Sequence, residues 1–339
     1  MNGYPETVIE ILRALYFSGK LQASGDLRVA LEKRGLALEP RTIRYHLTNL
    51  EKRGFLRRYG NRGAALTDRG VAEARMLFVF DRIGGLAMET ERLSLECDYS
   101  AATGRGSIMV NTLVVDEVKV QRALHILKRV AESGVVLSSK VGLLNPGQRM
   151  WNCEVPEGKK LLIGVSSRNY DILLQQARIP TETSATVLLR MEKGSPRGMI
   201  DVISHSGTTL SPGELLIRGK YTSVSDVVET GRGLVTAAIK TFPSAYFDEV
   251  SEIFEASDRG LLRAPLELRA QIPPSYQMTY KDRSKGYMLV YGGANIFAPL
   301  VEQGIAGELS ISHSIFQSER MATIGTFDDR GEEYRAASL

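Results

Sequence analysis

The chain has 339 residues, of which 43% are hydrophobic and 24% charged, and a formal net charge of +4. This is the composition of a folded globular protein of two or three domains, and it excludes a disordered tail or a disulfide miniprotein. The longest uncharged stretch, Gly286 to Val301, is interrupted by three glycines and a proline and is too short to span a bilayer. With no basic, apolar leader at the start, the expectation is a cytoplasmic protein without a membrane partner. Cys97 and Cys153 are too far apart in sequence to form a redox pair or a zinc framework.

The charge is unevenly spread. Residues 1–75 hold 14 Lys+Arg against 8 Asp+Glu, whereas the remainder is slightly acidic. A basic end of this kind suits a polyanion. Val8, Ile9, Ile11, Leu12 and Leu15 recur at helical spacing, so a first helix runs from about Glu6 to Ser18, where Gly19 stops it. A second follows Ser24. A third starts at Pro40, a residue suited to the first helical position, and runs to about Arg53 with Ile43, Leu47 and Leu50 on its apolar side.

The other side of that third helix carries Arg41, Arg44, Tyr45, Thr48 and Lys52, flanked by Thr42 and Asn49. Guanidinium forks and an amide on one helix face are what base-edge readout in a major groove requires. A basic hairpin comes next: a strand holding Arg57 and Arg58, a turn holding Arg62, a return strand at Ala64–Leu66, and a helix after Thr67. Helix, helix, helix, hairpin, helix is the order of a winged helix-turn-helix, with the wing arginines facing phosphates. His46 is read as a rim residue, not a metal ligand.

A linker helix is expected over 79–92, then a strand at Leu93–Tyr99. The turn Thr103–Gly106 leads to a strand from Ser107 to Val115 and a helix to about Ser133. The turn recurs as Thr230-Gly231-Arg232-Gly233. Val141–Leu144 is matched with Arg259–Leu262, and Ile163–Ile179 aligns without gaps on Leu289–Ile305, superposing Asn169 on Asn295. These repeats predict an α/β regulatory and dimerisation domain over 93–335 made of two related halves, about 93–220 and 221–335. The fold class is thus an α+β multidomain chain, with the DNA-binding domain at 1–78.

The second region shows no catalytic constellation. Its histidines are scattered, and neither a Gly-x-Ser-x-Gly elbow nor a phosphate-binding loop is present. A ligand site is more readable. Ser166, Ser167, Arg168 and Asn169 lie between an apolar strand and a helix start, an arrangement that suits an anion. Gly292-Gly293-Ala294-Asn295 is the counterpart, where glycines would admit an anion to the backbone. A polar turn with His205, Thr208 and Thr209 is placed between a strand at Met199–Ile203 and another at Leu215–Ile217.

The chain resembles the nitrogen regulatory repressor (NrpR) family, first met in methanogenic archaea. The resemblance covers nearly the whole sequence. It rests on the winged-helix start, Phe80-Asp81-Arg82-Ile83-Gly84, Gly207-Thr208-Thr209-Leu210-Ser211-Pro212, and Gly219-Lys220-Tyr221-Thr222-Ser223-Val224 before Thr230-Gly231. It implies a homodimeric, non-enzymatic repressor of nitrogen-assimilation genes on inverted-repeat DNA. It also implies 2-oxoglutarate as releasing effector, PII-type signalling proteins as partners of some members, and no cofactor or metal. Well-known members carry two regulatory domains, and this chain has room for one. Two other readings stay open on the residues alone: a small-anion enzyme with an appended DNA-binding domain, and a DNA-binding adaptor whose second domain only dimerises.

Overall fold

The computed structural model describes residues 4–83, 85–150, 153–257, 260–271 and 284–327. They fall into two compact units, Met1–Ile83 and Gly84–Leu339.

The first unit contains α1 (Glu6–Ser18), α2 (Ser24–Glu32), α3 (Pro40–Lys52), β1 (Leu56–Arg58), β2 (Ala64–Leu66) and α4 (Asp68–Leu77). Each boundary has a local cause. Gly19 takes the left-handed conformation, φ 60°, that ends α1. Pro40 opens α3. The Thr67 hydroxyl caps α4 by accepting from Gly70 N at 3.1 Å, while donating to Gly54 O at 2.6 Å. The apolar sides of the three leading helices meet in one core with Phe55, Leu56 and Phe78. β1 and β2 pair with Arg57 opposite Ala65, forming a short wing.

The second unit opens with α5 (Gly85–Leu95). Then come β3 (Ser107–Asp116), α6 (Val120–Ser133), β4 (Lys140–Leu144), the small hairpin β5 (Arg149–Met150) and β6 (Cys153–Glu154), β7 (Lys159–Val165) and α7 (Arg168–Gln176). Next are β8 (Glu182–Glu192), β9 (Ser195–Ser204), α8 (Pro212–Arg218) and α9 (Val224–Thr230). The chain continues through β10 (Gly233–Pro243), α10 (Phe247–Ser257), β11 (Glu267–Arg269), β12 (Lys285–Tyr291), α11 (Ala298–Glu302), β13 (Ala306–Gln317) and β14 (Ala322–Thr323).

These strands form two five-stranded sheets, ordered β13-β3-β7-β4-β14 and β11-β12-β10-β8-β9. The internal repeat is visible in them. β3, α6, β4 and β7 correspond to β10, α10, β11 and β12. The last two strands of each half cross over: β8 comes after α7 but pairs with β10 and carries β9 with it, and β13 and β14 come after α11 but pair with β3 and β4. A cut at residue 220 therefore does not separate two independent sheets, because each is completed by two strands from the other half.

Four expectations need correction. The linker at 79–92 is not one helix: Phe80–Arg82 is a short 3-10 turn, and α5 is a separate helix running to Leu95. Leu93–Tyr99 is not a strand, because Leu93 and Cys97, four residues apart, are buried together against Met109 and Ile172, a helical spacing. Leu215–Ile217 lies in α8, where Ser211 caps the first turn and Pro212 starts it. The counterpart of β4 is β11, whereas Gly260–Leu262 forms a turn with Leu261 and Leu262 in the core; Arg259 lies outside the described residues.

Candidate functional site

On the first unit, Ile43, Leu47 and Leu50 are buried and fix which side of α3 faces out. Arg41, Arg44, Tyr45 and Lys52 are exposed on that side, with Thr42, Thr48 and Asn49 partly so. Tyr45 is 63% exposed, a large aromatic whose ring meets His46 edge-on at 5.3 Å between centroids. Arg57 and Arg62 are exposed on the wing.

Two of the expected DNA-facing residues are committed internally. Arg58 donates to Glu51 through its Nε at 2.6 Å and its backbone N–H at 2.9 Å, and through Nη1 to Thr48 Oγ1 at 3.1 Å. The Thr48 hydroxyl itself donates to Arg44 O at 2.9 Å. Arg58 thus ties the wing to α3. The Arg58 backbone N–H and then its guanidinium hold the Glu51 carboxyl below its ordinary value, so the tie is an ion pair at neutral pH.

In the second unit a cavity of about 470 Å³ opens where the two sheets meet. Ser167 and Arg168 reach it from the start of α7, and His205 and Thr208 from the turn after β9, so two segments 37 residues apart in sequence converge on one space. The other expected residues do not line it. Ser166 is buried and shares a 2.6 Å hydrogen bond between its Oγ and that of Ser312. Asn169 is a structural clamp, accepting from Met109 N at 3.0 Å and donating to Met109 O at 2.7 Å. Thr209 lies outside the cavity lining. Thr208 lines it, with its hydroxyl bonded to Leu210 O at 2.6 Å.

The glycines opposite line the same cavity and are closely packed on their other side. A Cβ on Gly293 would meet Val165 O at 2.5 Å and Ser167 N at 2.8 Å, and one on Gly292 would meet Thr236 Oγ1 at 2.0 Å. The two related turns, Ser166–Asn169 and Gly292–Asn295, meet at Gly293 so closely that this position has no room for a side chain.

Sequence reasoning missed the charged floor of this cavity, which is Lys240 backed by its buried partner Asp171. Lys240 of β10 and Asp171 of α7 are fully buried and paired. Lys240 also donates to Thr183 Oγ1 at 2.7 Å, and Asp171 accepts from Thr181 at 3.1 Å and Thr183 at 3.0 Å. Burial alone would raise the Asp171 carboxyl, but Lys240 and Arg168 beside it hold it below its ordinary value. Burial draws the Lys240 ammonium down, with Asp171 pulling the other way. His205, whose Nε2 is 2.8 Å from Thr186 Oγ1, is pushed down to about 4 by burial and then by the Lys240 and Arg168 cations. It is neutral at physiological pH. Ser312 joins the lining from a bulge in β13, at a positive φ of 58°.

One signal for this floor stood in the sequence: Lys240 interrupts the apolar run Leu234–Phe242. A lysine inside a buried strand requires a buried counter-charge.

The internal repeat shows that the fold does not need these charges. In the other half Asp171, Lys240 and Thr183 correspond to Phe297, Leu113 and Leu309, all buried hydrophobics. The same architecture is closed there by apolar packing, which is often as stable as a buried ion pair or more so.

Comparison with known proteins gives the same division. Residues 9–74 match the family model described as the ribonuclease R winged-helix domain, and residues 83–323 match that of the NrpR regulatory domains 1 and 2. The chain is 27% identical over 317 residues to the global nitrogen regulator NrpRI of Methanosarcina mazei, covering 94% of this chain and 97% of that one. It is 26% identical over 319 residues to the global nitrogen regulator NrpR of Methanocaldococcus jannaschii, covering 93% of this chain but 54% of that longer protein. A solved nitrogen repressor-like protein from Methanococcus jannaschii shares the fold, with a TM-score of 0.57 at 14% identity over 70% of this chain and 97% of that one. With a winged helix at its start and the regulatory-domain match spanning most of its remaining residues, the chain belongs to the NrpR family.

Proposed function

We propose that this protein is a transcription regulator that represses nitrogen-assimilation genes as a homodimer on inverted-repeat DNA, and that 2-oxoglutarate in the cavity between the two sheets releases it. The names of its relatives support the nitrogen role. The exposed stripe of α3 supports base readout, and a second copy doubles the few base pairs one recognition helix contacts. The observation that carries the effector reading is the convergence of Arg168, Ser167, His205 and Thr208 on one cavity floored by buried Lys240. A dicarboxylate needs fixed cations and hydroxyl donors in a partly dry space, and this cavity supplies both.

The test is operator affinity across a 2-oxoglutarate titration. Wild type should lose affinity by a coupling of roughly 1–3 kcal/mol, and operator DNA should weaken 2-oxoglutarate binding by the same factor. Arg168→Ala should lose 2-oxoglutarate binding, and its operator affinity should no longer change across the titration. Unchanged wild-type affinity removes this effector, and a normal response in the mutant removes this site.

A further inference from the structure

The Arg168 guanidinium is already occupied by the protein. Its Nη2 donates to Glu91 Oε2, its Nε to Ser94 Oγ at 3.3 Å and its Nη1 to Thr183 Oγ1 at 3.4 Å, with Asp171 Oδ2 at 3.5 Å. Two of these partners, Glu91 and Ser94, stand one turn apart on α5. The second Glu91 oxygen accepts from Gln175 Nε2 of α7 at 2.6 Å. Arg168 and Glu91 therefore fasten α5 to the start of α7 at the rim of the cavity that both line.

A carboxylate entering this cavity has to take over bonds that Arg168 already makes. The two resident carboxylates differ in how readily they yield. Asp171 has no exposed side-chain surface and is held by Lys240 and two threonines. Glu91 is 46% exposed, so water solvates it as it leaves. Of the pair, Arg168 is 14% exposed and stays in place, and Glu91 is the solvated member that can leave.

We propose that Glu91 is an internal competitor of the ligand: a carboxylate-bearing effector replaces the Glu91 carboxylate on Arg168, and the exchange unfastens α5. This rests on the reading of the cavity as an effector site. The helix so released is the first element of the regulatory unit, entered by the chain directly from the DNA-reading unit. One guanidinium then serves as both the ligand's anchor and the helix's fastening, and it cannot satisfy both carboxylates at once. The differential contact that a ligand needs in order to shift an equilibrium is the loss of the Glu91 bond.

The experiment is calorimetric titration of the full chain with 2-oxoglutarate, paired with hydrogen exchange of residues 85–95. Wild type, Glu91→Gln, Glu91→Ala and Arg168→Ala are compared, with thermal midpoints as folding controls. Removing an occupant that holds Arg168 most of the time should tighten binding by roughly 3–10-fold in both Glu91 variants. In wild type the ligand should lower exchange protection across α5, and in the Glu91 variants protection should already be low without it. If wild type binds and Arg168→Ala does not, yet the Glu91 variants bind equally or more weakly, the competitor is overturned and the cavity reading stands. Tighter binding with no change in α5 protection overturns the release. Absence of wild-type binding overturns the effector reading, and the competitor with it.

Discussion

Asn169 and Asn295, 126 residues apart, make the same clamp in the two halves of the regulatory unit. Asn169 bonds both backbone groups of Met109 in β3, and Asn295 bonds both backbone groups of Thr236 in β10, accepting from N at 3.0 Å and donating to O at 2.9 Å. Both side chains are buried. Replacing either by alanine strands a buried donor and acceptor, at about 1–3 kcal/mol per group. Asn295→Ala should lower the urea midpoint of the regulatory unit without changing the slope of the transition.

The contrast between the charged floor and its apolar counterpart gives a double-mutant prediction. Lys240→Met alone strands a buried carboxylate and should cost roughly 3–5 kcal/mol of stability. Lys240→Met combined with Asp171→Leu copies the chemistry of Leu113 and Phe297, and should return stability to wild type or above. Urea unfolding of the two single variants and the double variant measures the coupling. A double variant as unstable as the worse single would show that the pair is required by the fold.

His205 gives the second unit a pH dependence. Its folded value of about 4 lies below the ordinary 6.5 of the unfolded chain, so the unfolded state takes up the proton first as pH falls. The stabilising contribution is complete above about pH 6.5 and declines toward pH 4. A shift of this size corresponds to at most roughly 3 kcal/mol. His205→Gln should flatten the thermal midpoint between pH 6.5 and 4 relative to wild type. An unchanged slope would locate the acid sensitivity elsewhere.

For DNA, Arg44 on the exposed face of α3 and Arg62 on the wing should behave differently. Arg44→Ala should cost about 1–3 kcal/mol on the operator and relax base preference. Arg62→Ala should weaken all sequences alike and lower the salt slope by about one. Arg58→Ala should act through the wing's attachment to Glu51 and Thr48, lowering the first unit's melting temperature as well as its DNA affinity. Binding isotherms on operator and random duplexes at several salt concentrations separate the three.

The first unit was almost wholly legible in its sequence because its determinants are local: the Pro40 start, the Gly19 stop, and apolar residues at helical spacing. The tie from Arg58 to Glu51 went unread because Glu51 looked like an ordinary surface charge. In the second unit the strand from Ser107 to Val115 and the apolar strand before Ser166 were legible, but their partners were not. Pairing β3 with β13 is a long-range choice that no local pattern encodes. Leu93–Tyr99 misled because its apolar residues also alternate. For the cavity, Ser167, Arg168, His205 and Thr208 were found through turn chemistry, whereas Lys240, Asp171 and Glu91 matter only through where the fold puts them.

The crossing of β8 and β13 between sheets bears on how the chain is made. Asn111 of β3 accepts from Ser312 N across 201 residues of sequence. At the pace of synthesis, about 5–20 residues per second, β3 leaves the ribosome roughly 10–40 s before the strand that covers its edge. During that interval the apolar run from Ile108 to Val115 has an open side that another nascent chain can pair with. The regulatory unit is then a late, all-at-once folder, and its first half made alone should aggregate instead of forming half a domain.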